Sequence, residues 1–222
     1  MIISSRPGRS KKQIREEMLD ALSAIPFPDL ISKSGSLSDR FFDFARTATA
    51  QIFGRTIVSF CPFGNEPQIN VEVEGGGEVY RVSYVRIDDW QARRMSARLA
   101  RRDTPDLWEE FDPGNGLKVF QPLASIPLAK TEEVSVILVP GLAFTRNGSR
   151  LGRGAGFYDR FLDAHPAALR LGVAFSEQIL ESLPEEEWDE RVDIILTDRE
   201  IITTNSYGDW TNHGKIIHRN QT

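Results

Sequence analysis

Residues Val134-Ser-Val-Ile-Leu-Val-Pro140 form an almost unbroken apolar run, and the runs Leu169 to Phe175 and Asp193-Ile-Ile-Leu-Thr197 repeat it. A strand with one wet face alternates polar and apolar side chains, so a run without alternation is a strand buried on both faces. Between these runs, Phe157 to Ala164 and Ser176 to Leu183 read as helices. Doubly buried strands separated by helices demand a sheet covered on both sides. The predicted fold class is therefore α/β, a single three-layer αβα domain with a mostly parallel central sheet. It is expected to fill residues 1–204, with 205–222 as a polar tail.

Two more helices are expected upstream. Ser10 and Gln13 have capping-box spacing, and Ile14, Met18, Leu22 and Ile25 follow at helical intervals, so the first helix should end near Pro26. A second should start after Ser36 or Ser38, bury Phe41, Phe44, Ala45, Ala48 and Ile52, and stop at Gly54. Arg55 to Cys61 is apolar and β-branched, hence a buried strand. Ile69 to Ile87 reads as two β runs joined by a turn at Gly75-Gly76-Gly77. Gln91 to Arg102 fits a helix through Ala92, Met95 and Leu99, or a strand through Met95, Ala97 and Leu99. Asp103 to Pro122 is punctuated by Pro105, Pro113, Gly114, Gly116 and Pro122 and reads as loop.

Charge and cysteine content exclude several classes. With 27 basic and 32 acidic side chains the net charge is −5, the wrong sign for a dedicated nucleic-acid binder. The single cysteine, Cys61, leaves neither a disulfide framework nor a zinc knuckle, which suits a reducing, cytoplasmic setting. No stretch reaches the roughly 18 consecutive apolar residues of a membrane span. Met1 to Gln13 lacks the apolar core of a signal peptide. No membrane association is expected, and the oligomeric state is not legible.

The chemistry concentrates in Val139 to Arg160, at the carboxyl end of a buried strand, where open α/β sheets bind ligands. Gly152, Gly154 and Gly156 let backbone N–H groups approach an anion, and Arg150 and Arg153 supply guanidinium forks suited to phosphate. Asp159 adds a carboxylate, which makes sense if magnesium accompanies the phosphates. The spacing departs from the dinucleotide fingerprint: its third glycine comes one residue early and the loop lies well beyond the strand. No G-x-x-x-x-G-K-[ST] occurs. A flexible glycine loop with solvated arginines is the plain alternative.

Val139-Pro-Gly-Leu-Ala-Phe144 followed by Gly148-Ser-Arg150-Leu-Gly-Arg-Gly-Ala-Gly-Phe157-Tyr158-Asp159 resembles the 5-formyltetrahydrofolate cyclo-ligase family. The resemblance extends to Lys11-Lys-Gln-Ile-Arg15, to Pro62-Phe-Gly-Asn-Glu66 and to Trp188-Asp-Glu-Arg-Val-Asp193. Two departures stand out. Ile69 to Ile87 is β-like where relatives place a helix, and Phe157 replaces a tyrosine of the signature.

The resemblance implies an enzyme that uses ATP and magnesium to turn 5-formyltetrahydrofolate into 5,10-methenyltetrahydrofolate, with release of ADP and phosphate. Phosphoryl transfer to the formyl oxygen makes it a leaving group, and N10 closes the ring, so the protein's part is positioning and charge stabilisation. The implied ATP-binding residues are Lys11, Arg15, Arg150, Gly152, Arg153, Gly154 and Gly156. The implied substrate-binding residues are Cys61, Glu66, Phe157 and Tyr158, with Arg150, Tyr158 and Glu66 catalytic. Asp159 and Asp189 are the implied metal ligands, with Asp193 a rival to Asp189. Lys11 and Arg150 are expected to be exposed charges with little part in stability. His165, His213 and His218 belong to no motif.

The cluster Arg93, Arg94, Arg98, Arg101 and Arg102 is either a solvated face or a patch that attracts a polyanionic folate tail. Two other functions stay open: a non-catalytic nucleotide-binding relative, and a sugar-phosphate isomerase-like enzyme binding phosphate at the same loop.

Overall fold

The computed structural model describes residues 8–48, 55–72, 80–112 and 118–204. Among the described residues the α-helices are α1 (Lys11–Ser23), α2 (Phe27–Thr47) and α3 (Phe157–Asp163). A seven-stranded sheet runs in the order β12 (Ile201–Thr203), β11 (Ile194–Leu196), β9 (Leu169–Val173), β6 (Val134–Pro140), β1 (Thr56–Ser59), β2 (Arg81–Asp89) and β3 (Arg94–Arg98). The five middle strands are parallel, and β12 and β3 run antiparallel at the two edges.

The apolar run of β6 shows why alternation is missing. Val136 and Leu138 pack into a core with α1 and α2, whereas Ile137 and Val139 pack into a second core with Phe161 and Leu162 of α3. Each face thus has its own helices, as a parallel sheet requires. The same division falls on β11, with Ile194 and Leu196 on one side and Ile195 on the other.

Helix α1 matches its expected limits, with the reciprocal Ser10–Gln13 cap formed and Ile14, Met18 and Leu22 buried. Helix α2 begins about ten residues earlier than the serines suggested. Pro28 sits in its first turn, where a missing N–H costs nothing, and Asp29 complements the dipole there. Ser36 and Ser38 do not cap; their hydroxyls donate to the carbonyls of Ser32 and Ser34 one turn back. Ile52 and Gly54 lie outside the described residues.

The middle of the chain needs two corrections and settles one open choice. Residues 69–72 form no strand, although Ile69 and Val71 are buried; β2 pairs instead with β1 and β3. The triple glycine lies outside the described residues. Gln91 to Arg102 resolves to the strand reading, with β3 over Arg94–Arg98. Asp103 to Pro122, read as loop, holds a two-stranded ribbon of β4 (Trp108–Phe111) and β5 (Val119–Pro122), whose β character its prolines and glycines hid. Near the carboxyl end, Ser176 to Leu183 is not a helix but a 3-10 turn over Ser176–Gln178 followed by β10 (Ile179–Leu180). No helix among the described residues is long and apolar enough to cross a membrane.

Candidate functional site

After β1 the chain proceeds to β2 on one side, and from β6 it proceeds to β9 and β11 on the other. The order reverses between β1 and β6. Ligand crevices of open α/β sheets form at such switch points, beyond the carboxyl ends of the strands. A cavity of about 880 Å³ lies there, lined by Phe60 and Cys61 after β1 and by Pro140 and Gly141 after β6. Apart from Asp193, the rival metal candidate, every residue implied above as a binding, catalytic or metal residue lies on its wall, from Lys11 to Asp189. Asp193 is instead buried and accepts the Arg170 N–H at 2.9 Å.

Arg150 enters from a small hairpin of β7 (Ala143–Thr145) and β8 (Arg150–Leu151). The hairpin turn is fixed by Gly148 at φ +95°, where a Cβ would stand 2.5 Å from the Val192 carbonyl oxygen. Only glycine fits this position. The Arg150 side chain is 4% exposed, and its Nη2 donates to Asp159 Oδ1 at 2.6 Å. The expectation of an exposed charge is therefore corrected for Arg150; the ion pair with Asp159 is what permits its burial.

The glycines of this loop have a role the sequence did not suggest. A Cβ on Gly152 would lie 2.8 Å from Arg150 Nη1, and one on Gly154 would lie 3.1 Å from Arg15 Cζ. Arg15 Nε also donates to the Gly152 carbonyl at 2.9 Å. The loop thus admits guanidinium groups against its own backbone. Arg153 lies 4.6 Å over the Phe63 ring and donates to Glu66 Oε1 at 2.8 Å, while Glu66 Oε2 accepts the Phe63 N–H at 2.9 Å. Glu66 is consequently the tie between the loop after β1 and the glycine loop.

Lys11 reaches Glu186 and Asp189, with its Nζ 2.7 and 2.5 Å from their carboxylates. Partial burial works against its charge, but the hydrogen bonds it donates to Asp189 and Glu186 outweigh that and the pKa is raised. Burial pushes the Cys61 thiol up, against the charge of Arg102. Among the described residues no three metal-ligating side chains converge. Asp159 and Asp189 nevertheless each bring a carboxylate to the cavity. A magnesium ion takes one or two carboxylates and completes its shell with phosphates and water, so these two are the residues that could hold one.

Several wall residues were not among the expected binding residues: Trp90, Phe120, Glu186 and Trp188. Trp188 opens the segment Trp188–Asp193 that carries the resemblance and adjoins Asp189, which was the available signal. Of the arginine cluster, Arg94 pairs with Asp89, Arg98 with Asp88, Arg101 with Asp103, and Arg102 donates to the Phe60 carbonyl. Only Arg93 of the five lines the cavity, so the patch of five does not exist as such.

Tyr158 is different in kind. Its hydroxyl is buried with no hydrogen-bond partner among the described residues, and burial first, then the Glu66 charge, pushes its pKa up. An orphaned buried hydroxyl costs about 1 kcal/mol or more. Tyr158→Phe should therefore raise the melting temperature by about 2–4 °C in a chain of this size. If the hydroxyl serves a bound substrate, kcat/KM should fall about tenfold in the same variant, the worth of one hydrogen bond. Thermal unfolding and steady-state kinetics check the two signs; lower stability with unchanged kinetics would make Tyr158 a packing residue.

Residues 7–198 match the model of the 5-formyltetrahydrofolate cyclo-ligase family. A 5-formyltetrahydrofolate cyclo-ligase of Mycolicibacterium smegmatis is 30% identical over 202 residues, covering 85% of this chain and 94% of its own. One from Mus musculus is 35% identical over 200 residues, covering 84% and 93%. Among solved structures, a 5,10-methenyltetrahydrofolate synthetase of Aquifex aeolicus superposes with a TM-score of 0.67 at 21% identity, over 91% of this chain and 99% of that one. The one from Mycoplasma pneumoniae gives 0.65 at 18% identity, over 86% and 99%. The structural likeness carries the fold alone, whereas the family match spans α1 through β11 and thus every segment that reaches the cavity; the chain belongs to the 5-formyltetrahydrofolate cyclo-ligase family.

Proposed function

We propose that this protein is an ATP- and magnesium-dependent 5-formyltetrahydrofolate cyclo-ligase that acts as a soluble cytoplasmic enzyme on small molecules. The observation that carries the reading is the two-sided cavity at the β1/β6 switch point. One side gathers Lys11, Arg15, Arg150 and Arg153 around a glycine loop; the other is the apolar wall of Phe60, Val85, Ile87 and Met95. A triphosphate needs the first, and a flat reduced pterin with an aromatic linker needs the second. Residues 1–204 are read as the cyclo-ligase unit.

The reaction replaces the C–O bond of the formyl group by a C–N bond to N10. The formyl oxygen leaves as part of inorganic phosphate, after taking the γ-phosphoryl group, and N10 gives up its proton. In this scheme Lys11, Arg15 and Arg150 hold the triphosphate and the charge that develops during transfer. Tyr158 donates its free hydroxyl to the formyl oxygen. Glu66 orients N10 through the lone pairs left after it has bound Arg153 and Phe63. Asp159 and Asp189 would hold the magnesium ion, which offsets phosphate charge. A sugar phosphate would use the cationic side and leave the apolar wall unoccupied, so the geometry favours the folate reading over an isomerase.

The test follows the absorbance of the methenyl product. It should rise only when 5-formyltetrahydrofolate, ATP and magnesium are all present, and a chelator should stop it. Product formation at equal rate without ATP would overturn the reading. Nucleotide binding with no turnover would favour the non-catalytic relative.

A further inference from the structure

Six cationic side chains line the cavity: Lys11, Arg15, Arg93, Arg150, Arg153 and Arg160. Lys11, Arg150 and Arg153 are paired with carboxylates, and Arg15 and Arg160 donate to backbone carbonyls. Among the described residues the Arg93 side chain has neither an ion pair nor a hydrogen bond. Arg93 is also the one described non-glycine residue with a positive φ, at +54°. A left-handed conformation in a residue with a Cβ persists only where its surroundings impose it, and such residues gather at binding sites.

The surroundings here are a docked hairpin tip. Arg93 closes the turn between β2 and β3, where Ala92 N–H donates to Asp89 Oδ1 at 2.8 Å. The Trp90 ring sits 5.1 Å from that of Phe157, and Arg160 Nη1 donates to the Ala92 carbonyl at 3.0 Å. Arg93 Nη1 comes within 3.5 Å of the point a Cβ on Gly156 would occupy. Two guanidinium groups without carboxylate partners, Arg93 and Arg160, therefore share one edge of the cavity. The hairpin that presents Arg93 also presents Val85, Ile87 and Met95, the apolar wall, whereas the cations assigned to the triphosphate come from α1 and the glycine loop.

Resting on the functional reading above, we propose that Arg93, with Arg160 beside it, is a specificity-determining residue that binds a carboxylate at the end of the substrate remote from the reacting formyl group. An apolar wall ending in unneutralised guanidinium groups fits a ligand with a flat apolar body and an anionic terminus. Arginine forks bind carboxylates by charge-assisted hydrogen bonds.

The test compares 5-formyltetrahydrofolate with 5-formyltetrahydropteroate, which lacks the terminal glutamate, in wild type, Arg93→Gly and Arg93→Lys. Glycine accepts the left-handed turn, so Arg93→Gly should melt at about the wild-type temperature. In wild type kcat/KM should favour the glutamate-bearing substrate about tenfold, through KM rather than kcat, in keeping with one hydrogen bond to a charged group. Arg93→Gly should bring that ratio near one, and Arg93→Lys should restore part of it. The wild-type ratio should shrink as salt rises, since an exposed pair is screened. A ratio near one in wild type, a ratio unchanged in Arg93→Gly, or a raised KM for ATP with the ratio intact would each overturn the proposal while leaving the cyclo-ligase reading in place. Wild-type protein that turns over neither substrate would overturn both.

Discussion

Arg150→Ala should lower kcat/KM by about 10³-fold and also destabilise the protein. The kinetic loss is expected because a preorganised charge donor at a transferring group is worth about 10²–10³ in rate, and the Arg150 side chain is only 4% exposed. The stability loss arises from Asp159. Removing one partner of a buried pair costs about 3–5 kcal/mol, because the other charge is left without compensation. The Asp159 side chain is 26% exposed, so water relieves part of that penalty and about 1–3 kcal/mol is the realistic range. The two effects are separable. In Arg150→Ala/Asp159→Ala no orphaned carboxylate remains, so the melting temperature should recover much of its loss while activity stays down. Arg150→Lys keeps the charge but loses the second donor, to the Pro140 carbonyl, and should fall between wild type and Arg150→Ala in both readouts. Recovery of activity in the double variant would show that Arg150 only neutralises Asp159.

The parts of this fold that could be read from sequence are those whose cause is local or periodic. The runs of β6, β9 and β11 were legible because burial on both faces removes polar alternation. The start of α1 was legible because Ser10 and Gln13 satisfy each other within one turn. What stayed hidden depends on distant partners. The serines of α2 look like caps until their hydroxyls are seen bonding back along a helix that starts at Phe27. The β4–β5 ribbon is fringed by prolines and glycines, which mask a pairing whose register only the folded chain reveals. The arginine cluster looked like one patch because its members are close in sequence. Acids supplied by β2 and the loop after β3 hold Arg94, Arg98 and Arg101, and Arg102 turns to the Phe60 carbonyl, leaving Arg93 the one member at the cavity.

The same division holds for the site. Arg150 to Asp159 is one contiguous block, so its composition revealed its chemistry. Trp90, Phe120 and Trp188 reach the cavity from three separate segments, and each is an ordinary aromatic residue until the fold places it there. Lys11 and Glu66 were reached through resemblance, and the structure supplies the physical link: Lys11 meets Asp189 across the chain, and Glu66 meets Arg153. Carboxylates on Lys11, Arg150 and Arg153, and the Gly152 carbonyl on Arg15, explain how four like charges can surround one volume without being driven apart.

Glu66→Gln should lower kcat/KM about 10²-fold and, because Glu66 holds Arg153, should also raise KM for ATP. A carboxylate offers two acceptor oxygens, and both are used: Oε1 by Arg153 Nε and Oε2 by the Phe63 N–H. An amide offers one acceptor, so in the variant an NH₂ group must face one of these two donors. Either the glycine loop loses its tie to Arg153 or the loop after β1 loses its tie at Phe63. The charge that balances Arg153 disappears in both cases. A hydrogen bond to a charged group is worth about 1.5–3 kcal/mol, which corresponds to about 10–100-fold, and loss of the N10 contact adds to it. Glu66→Asp keeps charge and both acceptors but shortens the reach, and should recover part of ATP binding before it recovers ring closure, because the phosphates tolerate displacement better than a reacting nitrogen does. Measuring nucleotide affinity separately from turnover distinguishes the two contributions. Wild-type affinity for ATP in Glu66→Gln would show that Arg153 holds its place against Phe63 without the carboxylate, and unchanged turnover would remove Glu66 from the chemistry altogether.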